Sequence, residues 1–379
     1  MPLRMRSARD SEQLAEAYYT ATQWELMWSK FLKHRLARFS GVLLLILYTG
    51  GIFCEFIAPY HTLTRRDKLY MAPQRVRFQD ASGWRPFRPF VYGSETVLDP
   101  ETFTWRHRED TSRQYPIRLW VHADEYKFWG LFKTDVHLFG VDLRGTDGLG
   151  TLHLLGTDKL GRDLLSRVIY GSRISLSIGL IGVLLSFLLG LLLGGIAGFF
   201  GGRVDMVVSR IIEFLQSLPT IPLWMALAAA LPPRWSPIAV YAGITVILSI
   251  VGWTGLARVV RGKFLELREQ DYVLAAKTSG ASTMTIIRRH LMPSFLSYLI
   301  VNLTLSIPAM ILGETSLSYL GLGLRAPIVS WGVLLEQAQN FSVVALYPWL
   351  MIPAGFVIVA VLAFNFLGDG LRDAADPYK

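Results

Sequence analysis

The chain has 379 residues, of which 52% are hydrophobic, with a mean hydropathy of +0.36 and a formal net charge of +9. Its apolar residues are collected in long runs, which excludes an ordinary soluble protein. Its basic residues crowd the segments beside those runs, which favours contact with the membrane surface and argues against nucleic acid as a partner.

Residues 1–40 are polar, and the part from Trp24 to Phe39 mixes aromatic with basic side chains. This composition predicts an amphipathic helix along the membrane surface, serving either as a passive anchor or in regulation. Lysines and arginines just before the first apolar run place the N-terminus in the cytoplasm by the positive-inside rule. No small-residue cleavage site follows the polar start, so we predict an uncleaved anchor.

Six apolar runs are long enough to cross about 30 Å of hydrocarbon, and in lipid such segments must be helical. They cover approximately residues 41–59, 172–200, 210–231, 237–257, 294–313 and 347–367. The third is interrupted by Pro219 and Pro222. The pattern predicts an all-α membrane protein with about six transmembrane helices, which returns the C-terminus to the cytoplasm. The single cysteine, Cys54, falls in the first run and is expected to pack there.

Residues 60–150 form an insert between the first two runs and are rich in proline, arginine and aromatic residues. Trp105, Trp120 and Trp129 supply enough apolar area for a small folded module, for which we expect short strands. Loops of this length are translocated largely regardless of charge, so we place the insert outside the cytoplasm. Two roles stay open, contact with a substrate-delivery protein or simple cover over the outer mouth. Its histidines lack metal-ligand spacing, so no metal site is predicted.

The second run carries a small residue at every fourth position. These residues are Gly182, Ser186, Gly190, Gly194 and Gly198. Small residues let a second helix approach closely, which is a main association force in lipid. Because four residues exceed one helical turn by about 40°, the stripe winds around the helix and is expected to reach more than one neighbour. We therefore favour helix packing over pore lining for it.

The sequence contains no GxxxxGK[ST] phosphate loop, no HExxH, no CxxC and no GxSxG. We therefore expect no catalytic activity, no ATPase site and no cofactor. The acids near the apolar runs, Glu55, Glu213 and Glu314, lie towards run ends, whereas ion-coupled carriers more often hold acids near the bilayer midplane. Energy for transport would then come from another protein. An ion-coupled carrier and a membrane scaffold remain alternatives.

A polar stretch at 264–291 separates the fourth and fifth runs and must project from the membrane face. Residues Lys263 to Ser279 suit a helix, and Gly280 fits the left-handed position after its end. A second short helix is predicted with Met284, Ile287 and Leu291 on one face. Such an element could receive mechanical force from a soluble partner, and an ordinary amphipathic connector is the alternative.

This stretch resembles the EAA coupling motif of bacterial ABC-importer permeases, in which E-A-A is followed after three residues by glycine and later by proline. Ala275, Ala276, Gly280 and Pro293 match it, whereas Leu274 stands where that family usually has glutamate. The resemblance implies contact with an ATPase subunit. The residues it assigns to coupling are Asp271, Tyr272, Ala275, Ala276, Gly280, Arg289, His290 and Pro293.

Three further segments resemble permeases of the dipeptide/oligopeptide/nickel group, and in particular the C-type subunit of the permease heterodimer. His153–Arg167 is similar to the LGTDxxGRDxxSR signature, for which we expect an outer amphipathic helix whose glycine and aspartate residues cap turns. Residues 313–332 are similar to ETSLSFLGLG…SWG, and residues 365–377 to the C-terminal tail. The likeness covers residues 150–379 well and the first run loosely, but not residues 61–150.

The resemblance implies a type I ABC-importer permease fold in a bacterial inner membrane, with residues 151–379 as the permease domain. It also implies a paralogous second permease subunit, two cytoplasmic ATP-binding subunits and an external substrate-binding protein. Peptides are the expected cargo. Nickel chelates, opines and oligosaccharides remain alternatives.

Overall fold

The computed structural model describes residues 23–80, 83–84, 88–98, 105–142 and 150–376. Residues 1–22 of the predicted cytoplasmic segment lie outside the described residues. Beyond it, helices α1 (Gln23–Lys33) and α2 (Arg35–Ile52) are separated by His34, whose Nδ1 accepts the Ala37 amide at 3.1 Å. This cap interrupts the single helix expected from Trp24 to Phe39.

The remaining helices follow in chain order. After the single turn α3 (Cys54–Ile57) and the insert come α4 (Leu164–Phe200), α5 (Gly202–Ser217), α6 (Thr220–Ala229) and α7 (Pro237–Leu267). The polar stretch contains α8 (Asp271–Thr278), α9 (Thr283–Ile286), a π-helical turn (Ile287–Leu291) and α10 (Met292–Ser294). The chain then forms α11 (Leu296–Tyr319), α12 (Trp331–Leu335), a 3₁₀ turn (Glu336–Gln339), α13 (Phe341–Leu346), a 3₁₀ turn (Pro348–Met351) and α14 (Ile352–Ala375).

Five helical segments of the described chain are long and apolar enough to cross a membrane, or up to six if the bent pair α5–α6 counts as one. The prediction of about six membrane helices is confirmed. A straight span over 210–231 is wrong, because α5 and α6 meet at 90°. Leu218 is extended there (φ −90°, ψ 135°), the conformation that the following Pro219 favours.

The first span differs from the predicted run at both ends. It begins at Arg35 and ends at Ile52, so Cys54 lies beyond it in α3 and not within it as expected. Cys54 is fully buried, and its thiol lies 3.6 Å from the carboxylate of Glu55. That carboxylate pairs in turn with Arg173 of α4, which joins the end of the first span to the next one.

The insert folds into strands, as expected from its composition. Three antiparallel hairpins pair β1 (Gln79–Asp80) with β2 (Gly83–Trp84), β3 (Phe90–Leu98) with β4 (Trp105–Pro116), and β5 (Arg118–Phe128) with β6 (Phe132–Gly140). The last hairpin docks on α3 through the buried ring of His137, which contacts Ala58 O at 2.5 Å and Asp124 O at 2.9 Å. The insert is therefore tied directly to the membrane part.

The glycine stripe lies where α4 meets its neighbours. A Cβ at Gly190 would lie 2.9 Å from Trp253 O, and one at Gly198 would lie 2.6 Å from Arg261 O, both on α7. Gly194 is equally close to the Ala257 backbone. Gly182 instead faces Met310 of α11, so the winding stripe contacts two helices. At Gly190, Gly194 and Gly198 a Cβ would collide with the α7 backbone, so glycine is required there, whereas Ser186 of the same stripe donates to Ser249 O at 3.2 Å.

Both ends of the described chain lie together. Lys30 of α1 donates to the Asp376 carbonyl at 3.0 Å, and Phe31, Ala37 and Ala374 share a small apolar cluster. Ser297, at the start of α11, lies 3.6 Å from the Met27 sulfur. The ends of the described chain and the polar stretch before α11 therefore occupy one face of the bundle, while the hairpins occupy the other.

Candidate functional site

The polar stretch begins with a break in the chain. Residues Lys263 to Ser279 do not form one helix as predicted, because α7 ends at Leu267 and Gln270 is extended (φ −72°, ψ 145°) before α8 starts. Arg268, inside this break, donates to the carbonyls of Gly198 and Phe199 at 3.4 and 3.3 Å. Its guanidinium satisfies carbonyls that the end of α4 leaves unpaired.

One face of the element is anchored in a core. Val273, Ile286 and Leu291 are buried and pack with Phe264 and Phe295, whose rings are 5.9 Å apart. Burial of each such side chain contributes about 1.5–3 kcal/mol. The element is thus fixed against the ends of α7 and α11.

The apolar face predicted for the second helix is only partly right. Leu291 is buried, but Met284 is 61% exposed, and Ile286 occupies the core in its place. The π-helical turn Ile287–Leu291 widens the helix by one residue per turn and shifts the face. Pro293 follows this turn, in α10, three residues before the span begins.

Gly280 closes α8 with paired hydrogen bonds. Its φ is +79°, its amide donates to Lys277 O at 3.0 Å, and the Ala281 amide donates to Ala276 O at 3.0 Å. This is a Schellman ending, which favours glycine because other residues are strained at positive φ. A Cβ at Gly280 would meet no atom within 4 Å, so the backbone conformation alone requires glycine here.

The opposite face of the element is open. Tyr272, Leu274 and Met284 are 44%, 42% and 61% exposed. Asp271, Ala275, Gly280, Arg289 and Pro293 are also exposed, and His290 is half-buried with its ring 6.2 Å from that of Tyr272. Ala276 is half-buried against the inner core, so the two alanines do not share one face. The result is an apolar surface with basic residues at its edge, which we call the outer face.

One further contact was not predicted from the sequence. Lys277 places its Nζ 5.6 Å from the centre of the Phe199 ring. Together with Arg268, it connects α8 to the last residues of α4. A glycine-rich helix end followed by basic residues far along the chain is the only signal, and it is weak.

On the opposite face of the bundle, the loop before α4 is held by buried carboxylates. Asp158 accepts from the backbone amides of Leu160 and Arg162 and pairs with the side chains of Arg162 and Arg167. Burial alone would raise the pKa of Asp158, but the guanidinium of Arg167 and the hydrogen bonds and charge of Arg162 hold it below its usual value. These contacts bear out the expected capping of turns, but the predicted amphipathic helix is wrong, because residues 153–163 form turns and a β-bridge between Thr157 and Asp163.

Asp163 caps α4 itself. Its carboxylate accepts the Ser166 amide at 2.7 Å and contacts His153 Nδ1 at 2.9 Å.

The Glu314 carboxylate, fully buried in α11, accepts hydrogen bonds from the hydroxyl groups of three serines on three segments. They are Ser318 at 2.8 Å, Ser330 at 2.6 Å and Ser175 at 3.2 Å. Sequence reasoning placed Glu314 near a span end but missed that it joins α4, α11 and α12.

A cavity of about 300 Å³ opens between α4, α6, α7 and α11. Its polar lining comes from Thr220, Asn302, Ser306 and Ser186 of the small-residue stripe, and Trp224 adds an indole. No charged side chain lines this cavity among the described residues. Its uncharged polar groups could bind amides and hydroxyl groups.

Comparison with known proteins decides the family. Residues 190–378 match the family described as "Binding-protein-dependent transport system inner membrane component", and residues 22–73 match the N-terminal transmembrane domain of oligopeptide transport permease C. The dipeptide transport system permease protein DppC of Bacillus subtilis is 44% identical over 226 residues, which are 59% of this chain and 68% of DppC. The chain belongs to this family of transport permeases.

Another relative of this permease is also named as a peptide permease. The oligopeptide transport system permease protein OppC of Escherichia coli K12 is 42% identical over 59% of this chain and 72% of that protein. Among solved structures, a chain of the inward-facing MetNI methionine ABC transporter matches with a TM-score of 0.44 and 19% identity, over 56% of this chain and 97% of that one. The matched residues 190–378 include the whole polar stretch with its outer face. This chain is thus a multi-pass membrane permease of an ABC transport system.

Proposed function

We propose that this permease is one of two paralogous pore subunits of an importer of di- or oligopeptides. Its partners are a second permease, two cytoplasmic ATP-binding subunits and an external substrate-binding protein. The observation that carries the proposal is the outer face, an apolar surface on an element whose inner face is fixed to α7 and α11. Relatives named as dipeptide and oligopeptide permeases support the cargo.

The outer face is the proposed seat of an ATPase subunit. Leu274 and Met284 would enter an apolar groove, and Arg288 and Arg289 would meet acidic groups at its rim. With Leu274 in place of a glutamate, no carboxylate is available there for an ion pair, so apolar contact is the main interaction. ATP binding shifts the pore only if this seat differs between the two states of the ATPase pair.

Energy comes from the partners in this proposal. The chain has no phosphate-loop motif of its own, and the outer face joins the pore helices through Val273, Leu291 and Arg268. Movement of the ATPase subunits would therefore reach α7, α11 and α4 together. Coupling residues on this scheme are Asp271, Tyr272, Ala275, Gly280, Arg289, His290 and Pro293, with Ala276 on the supporting side.

The proposed orientation puts both chain ends and the outer face in the cytoplasm. Basic residues cluster at that face of the bundle, among them Lys30, Lys33, Arg288 and Arg289, as the positive-inside rule requires. The hairpins then face the binding protein. The proposed domain division keeps the insert at 60–150 and the permease domain at 151–379, whereas the expected boundary between the N-terminal segment (1–40) and the first span (41–59) moves to Arg35, where that span begins.

The cavity between α4, α6, α7 and α11 is the proposed peptide path. Thr220, Asn302 and Ser306 offer hydrogen-bond donors and acceptors that suit peptide backbone without regard to side chains. Trp224 adds an apolar wall. Nickel chelates, opines or oligosaccharides are the alternative cargo.

The test is uptake by the purified complex in proteoliposomes. The chain is tagged, extracted gently and reconstituted with whatever co-purifies, and radiolabelled dipeptide and tripeptide are supplied with the binding protein. We expect peptide uptake that requires ATP inside the proteoliposomes and that a proton uncoupler leaves unchanged. Uptake without ATP that the uncoupler abolishes would instead establish an ion-coupled carrier.

A further inference from the structure

The turn between β5 and β6 is a two-residue hairpin turn with a tryptophan at a position where Asn, Asp or Gly is usual. Leu131 N donates to Phe128 O at 2.9 Å, and the two residues between them, Trp129 and Gly130, have φ of +50° and +74°. Positive φ costs a residue with a side chain roughly 1–2 kcal/mol, and contacts of the Trp129 side chain help the hairpin to offset this cost. Those contacts come from the end of the first span.

Trp129 is fixed at the boundary of the apolar core. Its indole Nε1 donates to Ile52 O at 3.0 Å, and the guanidinium of Arg173 lies 4.5 Å from its ring centre. Beside it, the Phe128 ring stacks on Phe53 at 6.0 Å. Ile52 is the last residue of the first span, so the turn sits at the level where that span leaves the hydrocarbon.

The turn exposes apolar side chains at this level. Leu131 is 81% exposed, Phe132 57% and Trp129 53%. They adjoin Ile52 and Phe53, which are exposed, as are Leu45 and Ile46 on the same side of the first span. The apolar surface of the hairpin is therefore continuous with an exposed apolar side of that span.

Two lysines lie beside this apolar surface. Lys127 pairs with Lys133 across the strands, directly behind the Phe128–Phe132 pair, and both lysines are exposed. Neighbouring residues of a strand point to opposite faces, so the apolar pair and the lysine pair lie on different sides. Lysines at this depth can extend to lipid phosphates while their stems stay on apolar surface.

We propose that the β5–β6 turn is a membrane anchor that enters the headgroup region of the bilayer at the C-terminal end of α2. Leu131, Phe132 and the Trp129 ring face the acyl chains, and Lys127 and Lys133 contact phosphate groups. Tryptophan is the residue most typical of this layer. The anchor holds the insert at a fixed height over the membrane part. This proposal depends on the placement of α2 in the membrane and is independent of the cargo and of ATP.

The experiment uses single labels on the whole complex in lipid nanodiscs. Leu131→Cys and the matched control Glu125→Cys, an exposed acid on β5 of the same hairpin, are labelled with an environment-sensitive fluorophore. The native Cys54 is buried. The wild-type complex is treated with the same fluorophore and should stay unlabelled, which checks that Cys54 does not react. Lipids carrying a nitroxide on the upper acyl chain serve as membrane quenchers and iodide serves as the aqueous quencher.

We expect blue-shifted emission at position 131, with several-fold stronger quenching by nitroxide lipid and several-fold weaker quenching by iodide than at position 125. Equal iodide quenching at both positions would overturn the anchor. So would a label at 131 that neither iodide nor nitroxide lipid quenches, because a protein partner would then cover the turn.

Discussion

The ammonium group of Lys277 lies over the face of Phe199, 5.6 Å from the ring centre. The two residues belong to α8 and to the last turn of α4, which are far apart in the chain. Attraction of this kind contributes about 0.5–1 kcal/mol at an exposed site. Together with the contacts of Arg268, it attaches the polar stretch to the end of the glycine-rich span.

The ending of α8 gives the first prediction. Gly280→Val should reduce ATP-dependent peptide uptake about tenfold, because a β-branched residue at φ +79° costs roughly 1–2 kcal/mol and shifts the element. Gly280→Asn, which tolerates this conformation, should retain nearly normal uptake. Equal loss in both variants would mean that the side chain itself, and not the backbone, disturbs the partner.

The outer face gives the second. Leu274→Lys should weaken recovery of the ATP-binding subunits in a pull-down by about tenfold, since charge at the centre of an apolar contact costs roughly 1–3 kcal/mol. Leu274→Met, which keeps the apolar surface, is the control and should recover them normally. Full recovery with Leu274→Lys would place the seat elsewhere.

The crossing of α4 and α7 gives the third. Gly194→Ala should lower the melting temperature of the solubilised complex, because a methyl group collides with the Ala257 backbone. Overpacking of this kind costs typically about 1–3 kcal/mol. Gly255→Ala on α7 is the matched control, since a Cβ there meets nothing within 4 Å. Its melting temperature should stay the same or rise, and an equal drop in both variants would argue against close packing at Gly194.

The loop before α4 gives the fourth. The pKa of Asp158 is depressed, so its pairing stabilises the fold above the usual value of 3.8 and is lost as pH falls through the lower folded value. Asp158→Asn should remove this acid-dependent loss below about pH 4 while lowering stability at pH 7, because Arg162 and Arg167 stay buried without their partner. Removing one member of such a pair costs about 3–5 kcal/mol. Thermal melts of both proteins from pH 7 to pH 3 measure the difference, and parallel curves would contradict it.

The sequence reveals those features that depend on neighbours in the chain. Gly280 and the Asp163 cap are recognisable because glycine and aspartate each solve a local backbone problem within four residues. Apolar runs locate the spans for the same reason.

Features decided by distant contacts escape such reasoning. Leu218 and Pro219 mark the place where the run breaks, but no residue type there specifies the 90° angle between α5 and α6. The π-helical turn moves Ile286 into the place expected for Met284, and a single inserted residue leaves no clear pattern. Glu314 finds its serines on three segments, up to 139 residues away, which no local pattern encodes.

Close contact along the glycine stripe has a mechanical meaning. From Gly190 to Gly198 the backbones of α4 and α7 touch, and Ser249 on α7 also donates to Gly182 O at 3.0 Å. Neither helix can slide along the other without a clash, so the two helices are expected to move as one rigid unit. Since α7 has 31 residues and rises about 1.5 Å per residue, this helix is roughly 46 Å long. A small tilt at the end where Arg268 contacts α4 becomes a larger displacement at the opposite end, beside the serines that surround Glu314.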